Sequence, residues 1–125
     1  MMLTSLRDSV RRSLRAFGFS CLGLKAAYRQ EWAFRQELRL LPVFAVLGLL
    51  LGRGAAEQAL LVGSWVVVII VELLNSAVEA VVDRVGTERH ELSGRAKDLG
   101  SAAVLISLVL VALVWALVAW HRLAG

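Results

Sequence analysis

At 125 residues the chain is long enough for one domain, yet 58 % of it is hydrophobic, an excess that a soluble domain of this length has too little interior to bury. Lysine and arginine outnumber aspartate and glutamate by 14 to 10. No platform of basic and aromatic side chains accompanies that charge, which speaks against a nucleic-acid partner and leaves membrane topology and attraction to anionic lipid as its meaning.

Residues 4–29 predict an amphipathic helix. Leu6, Val10, Leu14, Phe17, Cys21, Leu24 and Tyr28 recur by threes and fours within an arc of under about 90°. Arg7, Arg11, Arg12 and Arg15 lie elsewhere on the wheel. Such a helix suits the headgroup plane of a membrane. Packing against a soluble partner is the alternative, disfavoured because apolar blocks follow at once. The lone cysteine, Cys21, excludes an intrachain disulfide and suggests a reducing compartment. No cleavable apolar stretch follows the arginines, so no secretory signal is expected.

Residues 32–51 predict a first span, with Pro42 expected to kink it or to mark its first turn. Gly52-Arg53-Gly54 has the glycines of a tight reversal. Residues 56–86 predict a second span. As a helix it would run ~46 Å, longer than the ~30 Å hydrocarbon core, so Glu72 falls near the boundary and Asp83 beyond it. A polar loop leads to a third span over residues 93–121. Residues 1–125 thus read as a single all-α membrane domain. The runs at Gly48–Gly52 and Gly100–Ala103 read as packing faces. Trp65, Trp115 and Trp120 read as interface anchors or lipid-facing fill.

Topology follows from the basic residues. Residues 1–39 hold eight lysines and arginines and residues 84–98 hold four, whereas the first turn has only Arg53 and the C-terminus only Arg122. The positive-inside rule puts the N-terminus and the second loop in the cytoplasm, with Glu31, Glu72, Glu79 and Asp83 on the same side.

The chemistry concentrates in Glu72-Leu-Leu-Asn75-Ser76-Ala-Val-Glu79-Ala-Val-Val-Asp83. On a helix Glu72, Ser76, Glu79 and Asp83 share one narrow face, with Asn75 at its edge. A carboxylate facing lipid costs roughly 2.5 kcal/mol or more, so this face must meet protein, water or a cation. Glu31, Arg35 and Glu37 stand at the mouth of the first span, and Glu88, His90, Glu91, Arg95, Lys97 and Asp98 in or after the loop. There is no Walker-type phosphate loop: Gly18 and Gly23 have the spacing, but Leu24 stands where its lysine belongs. His90 and His121 are isolated, and no Gly-x-Ser-x-Gly elbow occurs. Carboxylates with nearby cations suit Mg²⁺ and phosphate, and a desolvated glutamate suits a general base. The residues alone leave an enzyme and a cation- or proton-coupled transporter equally open. For Asp83, a plain surface ion pair with Arg84 is a further reading.

Three segments, Glu31-Trp-Ala-Phe34-Arg35-Gln36-Glu37, Glu72 through Arg84, and His90-Glu-Leu-Ser93-Gly94-Arg95-Ala-Lys97-Asp98-Leu-Gly100-Ser101-Ala-Ala-Val, resemble the bacterial integral-membrane diacylglycerol kinase family. The likeness runs from about Arg12 to the C-terminus. It implies a homotrimer in the bacterial inner membrane, each subunit with an amphipathic surface helix and three spans, and an active site on the cytoplasmic side. It implies transfer of the ATP γ-phosphate to diacylglycerol with Mg²⁺; undecaprenol, the acceptor of a related branch, is the alternative. Carried over, Glu72 becomes the general base and Glu31 and Glu79 the metal ligands. Asn75 orients the site, with Arg35 and Asp83 in support. Arg12, Phe19, Glu31, Glu79, Glu88, Arg89, His90, Lys97 and Asp98 become the nucleotide's surroundings. Phe19 stands where the family commonly has tyrosine, and Cys21 where it commonly has tryptophan.

Overall fold

The computed structural model describes residues 1–125 and contains four helices and no strand: α1 (Met2–Gln30), α2 (Trp32–Leu51), α3 (Ala55–Val85) and α4 (Glu91–Ala124). A single extended residue, Glu31 (φ −104°, ψ 110°), separates α1 from α2. Arg35, in the first turn of α2, reaches back across this hinge. Its Nη1 donates to the carbonyls of Tyr28 (3.0 Å) and Arg29 (2.9 Å). These carbonyls belong to the last turn of α1, where helical partners run out and a cation is favoured. Pro42 lies in the interior of α2, which rules out its marking the first turn.

The α2–α3 reversal is tight. A Cβ at Gly52 would lie 2.8 Å from the backbone nitrogen of Gln58, and Gly54 has φ +91°, so both positions need glycine. Side chains close the two helix ends. Gln58 Nε2 donates to the Leu49 carbonyl at 2.9 Å, and Glu57 Oε2 accepts from the Arg53 backbone N–H at 2.7 Å. At the start of α4, His90 Nδ1 accepts from the Leu92 N–H at 3.1 Å, which makes His90 the helix cap.

Helix α3 is the centre of the bundle and packs against both α2 and α4, while α1 leans on α2. Phe34, Trp65, Val68, Ile69 and Val111 form the core. Phe44 stacks on Trp65 with centroids 4.0 Å apart, and Trp115 meets Phe44 edge-on at 5.3 Å. Both indoles find a carbonyl: buried Trp65 donates from Nε1 to Glu37 at 2.9 Å and half-buried Trp115 from Nε1 to Leu61 at 3.2 Å. The expectation that Trp65 and Trp115 anchor or fill the lipid face is therefore corrected. Only Trp120, of these three, is well exposed. Gly48 is a packing position as expected, because a Cβ there would lie 2.8 Å from Val62 Cγ2.

What the bundle leaves outside is as telling as its core. Only 12 of 125 residues are buried, and the accessible surface is 9654 Å². A folded soluble monomer of 13.6 kDa would expose about 6,600 Å². Helices α3 and α4 are long and apolar enough to cross a membrane, with mean hydropathy of 2.1 and 2.9 in their apolar stretches. The apolar stretch of α4 is only 11 % buried, unlike the core helix of a soluble protein. Helix α2 carries Arg35, Glu37 and Arg39 in its first half, so its uninterrupted apolar run is confined to Leu40–Leu51.

Candidate functional site

The face of α3 that carries the acids changes character along its length. Glu72 is buried, Ser76 and Glu79 are half-buried, and Asp83 is exposed. Glu72 lies within electrostatic reach of Glu79 and of Glu31 at the α1–α2 hinge. Asp83 pairs with Lys97 of α4, Nζ to Oδ1 at 2.8 Å. Its partner is thus not the adjacent Arg84 but a lysine of the neighbouring helix, and both side chains are largely exposed. The chain's other ion pair joins Arg95 to Glu91, so Glu31, Glu72 and Glu79 have no cation at ion-pair distance.

Asn75 sits opposite Gly100 of α4, where the two helices come close together. A Cβ on Gly100 would overlap Asn75 Oδ1, so only glycine admits the asparagine in this orientation. Its Nδ2 points at Glu79 Oε1 at 3.4 Å, a long contact, while Oδ1 is buried with no partner. A buried amide oxygen without a donor is costly unless something else supplies one.

Two cavities flank this face. One, of about 510 Å³, lies between the C-terminal part of α1 and α3; Leu24, Ala27, Glu31, Leu73, Ser76 and Ala80 are among its lining residues. It is mainly apolar, with Glu31 and Ser76 among its few polar groups. The other, of about 480 Å³, lies at the α3–α4 loop and is lined mostly by polar and charged residues, with Asp83, Glu88, Arg89, His90 and Lys97 in its wall. On α3, Glu79 falls between Ala77 and Ala80 of the first cavity and one turn before Asp83 of the second, and lines neither itself.

Of the residues singled out from sequence, Asn75 and Asp83 meet α4 at Gly100 and Lys97, Glu72 and Glu79 lie along the same face of α3, and Glu88, Arg89 and His90 line the polar cavity with Asp83 and Lys97. Glu31 joins from the hinge. Arg12, Phe19 and Asp98 are exposed and line neither cavity. Arg35 is occupied in capping α1. Glu37, which the sequence places only at the mouth of α2, is buried, faces the charge of Glu72 and leaves Oε2 without a partner. The signal for it was present: Glu37 interrupts the stripe Phe34, Leu41, Phe44, Gly48, which otherwise turns inward.

The donor set fits a hard divalent cation. Carboxylate oxygens free of cationic partners stand around Glu72, and an ion with its own positive charge would supply what the chain does not. No three acidic, histidine or cysteine side chains converge into a ready-made cage. A divalent cation at a phosphate site needs only one or two carboxylates, with water and phosphate completing its shell.

An all-helical chain with a membrane-type exterior and an acidic face between an apolar and a polar cavity has the make-up of a small membrane enzyme. The family model for prokaryotic diacylglycerol kinase matches residues 18–119. Similar proteins include the diacylglycerol kinase of Escherichia coli K12, 50 % identical over 111 residues that cover 89 % of this chain and 91 % of that one. The diacylglycerol kinase of Haemophilus influenzae is 50 % identical over 113 residues, 90 % of each chain. That of Helicobacter pylori 26695 is 41 % identical over 105 residues, 84 % of this chain and 82 % of the other. The chain belongs to the prokaryotic diacylglycerol kinase family.

Proposed function

We propose that this chain transfers the γ-phosphate of ATP to the free hydroxyl of diacylglycerol, giving phosphatidic acid and ADP. The observation that carries the reading is the acidic face of α3, which leads from an apolar groove to a polar, cation-bearing cleft. A lipid hydroxyl and a nucleotide approach from opposite ends of that face. Family membership and similarity to proteins named diacylglycerol kinase support the same substrates.

Phosphoryl transfer depends on positioning and charge neutralisation more than on covalent help from the protein. The hydroxyl oxygen attacks the γ-phosphorus in line as the bond to ADP breaks. Glu72, the acid deepest on the face, takes the hydroxyl proton. Asn75 orients the acids through Glu79. Lys97, steadied by Asp83, offers its charge to the phosphates, with Glu88, Arg89 and His90 beside it. Glu31 and Glu79 would hold Mg²⁺, which supplies neutralisation of the phosphate charge. Arg12, Phe19 and Asp98 remain assigned to the nucleotide, contributed across subunits of a trimer, because one chain does not bring them to either cavity.

The reading includes three spans per subunit, α2 through α4, with α1 on the membrane surface. The 12 apolar residues Leu40–Leu51 cover only ~18 Å, so α2 completes its crossing with Arg35, Glu37 and Arg39 against neighbouring helices rather than lipid. The N-terminus and both cavities face the cytoplasm across the bacterial inner membrane, following the distribution of lysine and arginine.

The test is direct. Purified protein with Mg²⁺ and labelled ATP is expected to label diacylglycerol. A folded preparation that labels only undecaprenol would move the acceptor to the other lipid. Proton-coupled uptake into vesicles with no labelled lipid would replace the kinase by a transporter.

A further inference from the structure

Two adjoining cavities lie at the opposite end of the bundle from the acidic face. There Leu51, Leu61, Trp115, Val118 and Leu123 line an apolar groove of about 250 Å³. Arg122 also lines it, with its Nε buried and lacking any hydrogen-bond partner. An orphaned guanidinium N–H beside apolar side chains calls for an acceptor that the chain does not provide.

The same arginine borders an adjoining polar cavity of about 210 Å³, shared with Arg53, Glu57 and His121. Glu57 is the one carboxylate there, and its Oε2 is held by the Arg53 backbone N–H at 2.7 Å. Neither Arg53 nor Arg122 has a carboxylate at ion-pair distance, since both ion pairs of the chain lie elsewhere. Arg122 thus borders both cavities and Arg53 the polar one, and with Glu57 as the single carboxylate the two guanidinium groups leave one positive charge in excess beside the apolar groove.

We infer that Arg53, Arg122 and this groove form a subsite for an anionic phospholipid, separate from the substrate cavities and at the other membrane face. The phosphate sits at headgroup level against the two arginines, with His121 as a further donor, and a stretch of acyl chain lies along the groove. The groove is smaller than the ~300 Å³ at which whole small-molecule sites begin, so it takes part of a chain rather than a complete lipid. A free phosphate would match the cations and leave the apolar walls bare. A neutral lipid would cover the walls and leave the excess charge unmatched. The inference rests on the membrane reading of α3 and α4, but not on the identity of the kinase substrate.

The test uses the full chain in an uncharged detergent, titrated separately with phosphatidylglycerol, phosphatidylcholine and inorganic phosphate, with the melting midpoint and bound lipid by native mass spectrometry as readouts. Phosphatidylglycerol is expected to bind and raise the midpoint saturably, phosphatidylcholine to do so far less, and phosphate alone not at all. The Arg53→Gln/Arg122→Gln double variant is expected to bind phosphatidylglycerol about 30-fold more weakly, from about fivefold for each cation near the surface. Val118→Trp, which fills the groove and keeps the charges, should also lose the preference; Arg84→Gln, at the far end, should keep it. The double variant binding phosphatidylglycerol like the parent would overturn the inference, as would phosphate alone matching the lipid's effect. Altered oligomer size in the double variant with the lipid preference intact would instead assign the groove to contacts between copies of the chain. A chain that stays in solution without detergent would contradict the membrane reading itself.

Discussion

Replacing Gly100 by alanine adds one methyl group to α4, in a place where it has consequences beyond packing. The new Cβ would overlap Asn75 Oδ1 and lie 3.2 Å from Asn75 Cγ. The overlapped atom is the tip of a short side chain, so the cheapest relief is rotation of Asn75 rather than separation of α3 from α4. Rotation gives up the 3.4 Å contact of Nδ2 with Glu79 Oε1. A hydrogen bond to a charged group contributes about 1.5–3 kcal/mol, and this one is long, so the lower end applies. At about 1.4 kcal/mol per factor of ten, turnover should fall roughly tenfold. Global stability should fall by no more than about 2 kcal/mol, because alanine gains about 1 kcal/mol of helix propensity over glycine against roughly 1–3 kcal/mol of crowding. The assay is lipid phosphorylation by Gly100→Ala, Asn75→Ala and the double variant, with native sizing as a fold check. If Asn75 transmits the effect, adding Gly100→Ala to Asn75→Ala costs nothing further. Full activity in Gly100→Ala, or losses that add to within about 0.5 kcal/mol in the double variant, would refute the reasoning.

Lys97→Met and Asp83→Asn each remove the 2.8 Å ion pair between α4 and α3. Both groups are largely solvated, so the melting midpoint should hold, while Lys97→Met raises the apparent Michaelis constant for ATP several-fold and Asp83→Asn less. Trp65→Phe keeps the stack on Phe44 and loses the donor to the Glu37 carbonyl; unfolding in mixed micelles should show a loss of about 0.5–1.5 kcal/mol. Removing residues 1–20, which carry most of the exposed apolar arc of α1, should raise the apparent Michaelis constant for lipid and leave native oligomer size unchanged. Loss of the oligomer with unaltered lipid kinetics would contradict a surface role for α1.

The helical class and the acidic face of α3 were legible in sequence because each is a matter of periodicity within one helix. Apolar runs, the glycines at 52 and 54 and the spacing of Glu72, Ser76, Glu79 and Asp83 carry that information locally. Relations between helices were less accessible. Trp65 and Trp115 looked like lipid-facing anchors, yet they meet through Phe44 of a third helix, a pairing that no period within α3 or α4 encodes. Gly100 read as part of a packing face, but not that its lack of a side chain makes room for Asn75. His90 and Arg35 carry groups that suit phosphate, and the structure engages both at helix ends. Glu37 reads from sequence only as one acid at the mouth of the first span, and the fold shows that it is buried and faces Glu72.

The most direct measurement compares Glu72→Gln with Glu79→Gln, each keeping the shape of its side chain and losing a charge. Turnover, ATP binding and Mg²⁺ dependence are measured for both. Glu72→Gln should lower turnover by about 10²-fold or more, the usual worth of a positioned proton acceptor, with ATP binding and Mg²⁺ dependence nearly unchanged. Glu79→Gln should shift the Mg²⁺ requirement upward and regain part of its activity at high Mg²⁺. Rescue of Glu72→Gln by Mg²⁺, or unchanged metal dependence in Glu79→Gln, would contradict the division of roles along the face of α3.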